Sequence, residues 1–187
     1  AAGASSPGGM VAILGLEKAQ VAELVAEAAG DLAGLWVAND NAPGQVVLAG
    51  TREALARAGE LAQGRGAKRV VPLAVSVPCH TPLMRMAAER LREALERTAF
   101  QRPWAPVVSN VTASPLEEPA EIREALIQQL SSPVRWVESV ERMATEGITR
   151  MIEIGPKAVV SGLVRRIRPK MTAQAVTNAF EIERFTF

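Results

Sequence analysis

The order of its apolar segments between Met10 and Val75 constrains this chain most strongly. "MVAILGL" (Met10 to Leu16) is a short apolar run ended by glycine, the pattern of a buried strand. Val21, Leu24, Val25, Ala28 and Ala29 then recur at helical spacing, and Gly30 stops that helix. "LWVAN" and "QVVLAG" (Gln45 to Gly50) read as two strands. The turn cluster "DNAPG" between them is short enough to make them antiparallel. Thr51 can cap a second helix, with Glu53 in its first turn and Leu55, Ala58 and Ala62 on its inward face. "AKRVVPLAV" reads as a fourth strand. Strand, helix, strand, strand, helix, strand is the ferredoxin-like, split βαβ order. It predicts a four-stranded antiparallel sheet over residues 10–74 with both helices on one face.

From Val75 the pattern changes. Residues 82–97 predict a helix with Leu83, Met86, Ala87, Leu91, Ala94 and Leu95 on one side. "APVVSN" reads as a strand, and residues 121–130 as a helix. Ser132 and Pro133 suit the cap and first turn of another helix through Val140. "TRMIEI" and "TAQAV" read as strands flanking a helix marked by Val159, Val160, Leu163, Val164 and Ile167. Alternating helices and apolar strands predict an α/β unit with a largely parallel sheet. The expected division is a loop over 1–9, a ferredoxin-like subdomain over 10–74 and a second α/β unit over 75–187. The opening "AAGASSPGGM" lacks the basic start and apolar stretch of a signal peptide. It reads as a flexible loop, and a chain that begins partway through something larger is expected.

Charge narrows the function. Lysine plus arginine number 21 against 20 aspartate plus glutamate, so there is neither a basic field for nucleic acid nor an acidic tail. With no tyrosine in the chain and no aromatic residue in "QVVLAG", the sheet lacks the platform that stacks RNA bases. A single cysteine excludes an internal disulfide, and a single histidine argues against a zinc site. No apolar run approaches the roughly 20 residues that span a bilayer. A cytoplasmic, metal-free and cofactor-free protein is the expectation.

The lone histidine and cysteine are adjacent, in "VSVPCHTPLM". His80 precedes a helix start where Thr81 can cap and Pro82 suits the first turn. It is either a neutral general base or a hydrogen-bonded structural histidine at a turn. Cys79 invites a thiol–imidazole pair, but neighbours in extended chain point to opposite sides, and a small buried apolar residue is the competing reading. Ile122, Ala125, Leu126, Gln129 and Leu130 share a helical stripe, so the Gln129 amide must find partners on an apolar face. It is a satisfied core amide, or its helix end orients a catalytic group. Asn39, Asn41 and Gln45 crowd one predicted loop, where they line a polar cleft or make Asx-turns. "GRGAKR" lacks the phosphate-loop pattern. The arginines of "GLVRRIRPK" read as a solvated helix face, with an acidic partner as the other reading. No G-x-S-x-G nucleophile elbow occurs anywhere.

Six segments carry a resemblance: "GGMVAILGL", "VANDNAPGQVVLAG", "GAKRVVPLAVSVPCHTPLM", "PVVSNVTASP", "IREALIQQLSSPVRWVESV" and "MIEIGPKAVVSGL". In this order and spacing they resemble the malonyl-CoA:acyl carrier protein transacylases and, more widely, the acyltransferase domains of polyketide synthases. "VPCH" is closer to the V-P-S-H of the discrete bacterial enzymes. The resemblance implies an α/β-hydrolase-like large subdomain with a ferredoxin-like insert, so that residues 75–187 form the C-terminal part of the former. It implies ping-pong transfer of a malonyl group from malonyl-CoA, through a serine ester, to the pantetheine thiol of acyl carrier protein. His80 aligns with the base and Gln129 with the position whose backbone carbonyl orients it. Asn39, Asn41 and Cys79 are the implied substrate-binding residues. The serine, a carboxylate-binding arginine and part of the oxyanion hole are expected upstream, in an N-terminal part of the same enzyme that is itself an expected partner. Cys79 stands where serine or an aromatic residue is usual, and "GPKAVVSGL" replaces the usual G-P-G-K-V-L. A non-catalytic ferredoxin-like module that binds a small molecule or carrier protein is the alternative.

Overall fold

The computed structural model describes residues 8–29 and 34–183; residues 1–7 of the expected opening loop (1–9) and the helix stop at Gly30 lie outside them, and Gly9 already belongs to the first strand. The first unit contains β1 (Gly9–Leu14), α1 (Lys18–Ala29), β2 (Leu35–Ala42), β3 (Gln45–Gly50), α2 (Arg52–Gly64) and β4 (Arg69–Pro72). Its four strands lie in the order β2-β3-β1-β4, every pair antiparallel. Alternate strand residues point to opposite faces. Val11, Ile13, Val46 and Leu48 meet Val21, Leu24 and Ala28 of α1 and Ala54, Ala58 and Ala62 of α2 in one buried cluster. Both helices therefore cover the same face. Met10, Ala12, Ala38, Val47 and Ala49 form a second cluster on the other face. Burial on both faces explains why "MVAIL" is a continuous apolar run rather than an alternating one. Thr51 caps α2 as its sequence suggests, accepting from the Ala54 N–H at 3.3 Å.

The β2–β3 connection differs from the expected loop. Ala42 pairs with Gln45, leaving only Pro43 and Gly44 to turn, with Gly44 in the left-handed region at φ 67°. Asn39 and Asn41 therefore stand in strand β2 and Gln45 opens β3, so the three amides do not share an Asx-turn loop. The strand runs this far because Ala42, 1% exposed, is buried against Val140, Val164 and Ile167 of the second half.

The second half comprises a 3-10 turn (Pro82–Met84), α3 (Arg85–Glu96), β5 (Val107–Val108), β6 (Pro115–Leu116), α4 (Pro119–Gln128), α5 (Trp136–Thr145), β7 (Arg150–Ile154), α6 (Val160–Ile167), β8 (Thr172–Val176) and α7 (Ala179–Glu183). Among the described residues the largely parallel sheet is absent. β7 and β8 form the one parallel pair, while β5 and β6 make a two-residue antiparallel ladder. "APVVSN" ends early because the Ser109 hydroxyl accepts from the backbone N–H groups of Val111 and Thr112 and turns the chain back.

Other boundaries move for local reasons. Ser132 and Pro133 do not open a helix. Val134 instead donates to Ala38 O at 2.8 Å and accepts from Asp40 N–H at 3.0 Å, extending β2 sideways, and α5 begins at Trp136. In α3 the buried residue is Ala88, while Met86 of the expected stripe is 67% exposed. In α4 it is Ile127 rather than a member of the expected stripe. The arginines near α6 are not a free solvated face. Arg165 donates to Ala173 O at 2.7 Å, Arg166 to Pro43 O and Gln45 Oε1, and Arg168 pairs with Glu141. Of these, Arg166 fastens the β2–β3 hairpin to the second half, as does Lys18, which bridges Asp40 and Glu138 at 3.1 Å each.

Candidate active site

Two prolines bracket the turn that carries His80. Pro78 is fully buried, and a Cβ added at Gly8 would meet Gly50 O at 2.5 Å and the Pro78 ring at 3.2 Å, so only glycine lets the chain pass beneath it. Thr81, 0% exposed, donates its hydroxyl proton to Pro78 O at 2.7 Å. It does not cap the following helix with its side chain, contrary to the expectation. His80 between them is left-handed at φ 62°. For a non-glycine residue that conformation costs on the order of 1–3 kcal/mol and persists only where the surroundings enforce it.

The C-terminal end of α4 supplies the enforcement. The His80 N–H donates to Leu130 O at 3.0 Å, and its ring Nδ1 lies 2.7 Å from Gln129 O. A carbonyl oxygen can only accept, so Nδ1 carries a proton, and in the neutral imidazole Nε2 keeps its lone pair. In that form Nε2 is the ring atom able to take up a proton. The contribution of Gln129 is its backbone carbonyl and not the amide that drew attention in the sequence. The last carbonyls of a helix have no intrahelical donor, which leaves this one available to the ring.

The other residues singled out in the sequence fall at different distances from this contact. Cys79 is a free, half-buried thiol packed against the cluster of Met10, Ala12, Ala38, Val47 and Ala49. Its packing is apolar, but the side chain is half-buried rather than buried as the apolar reading had it. Asn39, half-buried, pairs sideways with Val134, so β2 flanks the segment that follows Gln129. Asn41 lies two residues before the hairpin turn, and none of these bonds ties it to His80. A cavity of about 230 Å³ opens beside Gln129, lined by Val108, Ser109, Leu116, Ile122 and Ala125 among others. A larger one of about 590 Å³ lies between α2 and the β1–β4 edge, and its lining includes neither His80 nor Gln129.

Arg135 went unnoticed in the sequence. Its guanidinium donates to Val111 O and Thr112 O at 3.3 Å each and pairs with Glu138, and its N–H donates to Asn110 O at 2.9 Å. Hydrogen bonding to Glu138 raises its pKa above the usual arginine value. Thus the chain that leaves Gln129 is pinned on one side to β2 and on the other to the 109–114 turn. An arginine inside the otherwise apolar "PVRWV" was the available signal.

A lone imidazole is thus oriented by a backbone carbonyl on an α/β scaffold, where many hydrolases orient their histidine with an acid. The sequence matches the acyl transferase domain family over residues 2–179. The chain belongs to that family. It is 45% identical over 179 residues to the malonyl CoA-acyl carrier protein transacylase of Bacillus subtilis, covering 94% of this chain and 56% of the relative. The crystal structure of the malonyl-CoA:acyl carrier protein transacylase of Xanthomonas oryzae superposes with a TM-score of 0.89 at 44% identity, over 95% of this chain and 56% of that one. A malonyl-transacylase solved in complex with a type II polyketide synthase acyl carrier protein gives 0.90 at 41% identity, over 96% of this chain and 58% of that one. The chain thus spans a little over half the length of the relatives it matches.

Proposed function

We propose that the intact protein transfers a malonyl group from malonyl-CoA to the pantetheine thiol of acyl carrier protein by a ping-pong mechanism. The attacking serine lies outside this chain, in an N-terminal part of the same enzyme. Residues 10–74 are the ferredoxin-like insert, and residues 75–187 are the C-terminal part of an α/β-hydrolase-like subdomain. Nε2 of His80 removes the serine proton as its oxygen attacks the thioester carbonyl. It then gives that proton to the departing CoA thiolate. In the second half it takes the proton of the incoming pantetheine thiol, and returns it to the serine when the ester breaks. Throughout, the Gln129 carbonyl holds Nδ1–H, facing the cation each time Nε2 is protonated. Asn39, Asn41 and Cys79 are assigned to the substrate cleft, and the reaction takes place in the cytoplasm.

The observation that carries this reading is the 2.7 Å contact between Nδ1 of His80 and Gln129 O. In the intact enzyme His80→Ala slows malonyl transfer by roughly 10²–10⁴-fold, the usual contribution of a positioned acid–base group. Cys79→Ser retains most activity. Near-normal transfer by His80→Ala would sink the assignment and favour a non-catalytic binding module. Complete loss in Cys79→Ser would move the chemistry to the thiol.

A further inference from the structure

We infer that Thr81 is a positioning residue for His80: its buried hydroxyl closes the Pro78–Thr81 turn and so holds the imidazole against Gln129 O. This rests on the reading of His80 as the base. The bond to Leu130 O fixes the His80 N–H, and the bond to Gln129 O fixes Nδ1, but both lie on the C-terminal side of α4. Neither fixes the chain that enters the turn. Thr81 does, because its Oγ–H reaches back over three residues to Pro78 O at 2.7 Å with no exposed surface at all.

Its backbone is extended (φ −134°, ψ 161°), and its carbonyl accepts from the Met84 N–H at 3.0 Å at the start of the 3-10 turn. One residue therefore joins the entry to the turn with the helix that leaves it. His80 between the two ends must take its left-handed φ of 62°. Without the hydroxyl, Pro78 O would be a buried acceptor short of a donor, and the turn would relax toward a conformation that frees His80 from positive φ. The ring would then swing on a backbone no longer set by three points.

Thr81→Val keeps the shape and removes the hydroxyl, while Thr81→Ser keeps the hydroxyl. The test uses both in the intact enzyme, with the imidazole resonances of His80 assigned by their loss in His80→Ala. Thr81→Val should lower kcat by about 10–100-fold, the scale of a misplaced catalytic group, with KM for malonyl-CoA changed by no more than about twofold. It should also weaken or shift the Nδ1–H signal, and Thr81→Ser should restore both. A folded Thr81→Val enzyme with wild-type kcat and an unchanged Nδ1–H signal overturns the inference. If Thr81→Val does not fold, a folded Thr81→Ser that loses the signal overturns it, and one that keeps it supports it. The resonance reads the turn whatever His80 does in catalysis. Normal transfer by His80→Ala would therefore refute the base assignment and leave the turn geometry to be judged by the signal alone.

Discussion

His80 and Glu153 each use a helix end, and in opposite senses. The ring of His80 takes a carbonyl at the C-terminus of α4. The carboxylate of Glu153 takes the N–H groups of Val159, Val160 and Ser161 at 2.9, 2.9 and 2.7 Å, closing the N-terminus of α6 from outside the helix. Partial burial opposes its ionisation, but the three backbone donors outweigh it and hold its pKa down to about 2. A depressed folded pKa contributes stability that is present above the ordinary carboxylate value of 4.5 and is lost as pH falls toward 2. Other carboxylates with lowered values, such as Glu124 and Glu138, titrate in the same acid range, so the informative quantity is a difference. At pH 7 Glu153→Gln should be less stable than the parent by about 1 kcal/mol, the scale of a lost N-terminal cap. In urea melts the gap between the two should shrink as pH drops from 5 toward 3. A gap that stays constant would mean the carboxylate charge is not what closes the helix.

The β2–β3 hairpin is the element that joins the two halves. Its strand β2 pairs with Val134, its turn carbonyl at Pro43 takes Arg166, and Ala42 is sealed between α5 and α6. At that site a larger side chain has no room. Ala42→Leu is expected to destabilise by about 1–3 kcal/mol, the range for overpacking a dense core, while the charge pairs at Lys18 and Asp40, partly open to water, contribute less. Chemical denaturation of Ala42→Leu beside Lys18→Met would rank the two. The hairpin also shows what periodicity can and cannot reveal. The β-α-β-β-α-β order was legible because each element of the first half packs within that half: Val21, Leu24 and Ala28 have their partners in β1 and β3. Asn39 and Asn41 looked like a loop because polar residues in strand positions break the pattern. What keeps them in β2 is a burial at Ala42 that depends on residues 140 and 164, far along the chain. The second half was less legible for the same reason. "APVVSN" has the composition of a buried strand, and only the Ser109 hydroxyl, invisible to hydrophobic patterning, turns it back after Val108. The histidine could be found by its rarity and its bracketing prolines. The carbonyl that orients it carries no sequence signature: an amide on an apolar stripe drew attention to Gln129, and only the family motif pointed to its backbone carbonyl.

At the scale of the molecule the apolar surface is unevenly covered. Trp104 is fully exposed, Ile154 is 77% and Val159 57% exposed, all on the half whose described strands form two two-stranded ladders, β5–β6 and β7–β8. Exposed apolar surface with short, open strand edges recruits other chains. Residues 1–187 produced alone should therefore associate or melt broadly, as size-exclusion chromatography with circular dichroism would show. A monomer with a single cooperative transition would mean that these surfaces need no cover. The central claim concerns chemistry, and the most direct measurement is the mass of the intact enzyme after brief exposure to malonyl-CoA. The account predicts a single malonyl adduct on a serine outside this chain, discharged when acyl carrier protein is added, and no adduct over the same interval in His80→Ala. An adduct formed at the parental rate without His80, or one carried on Cys79, would contradict it.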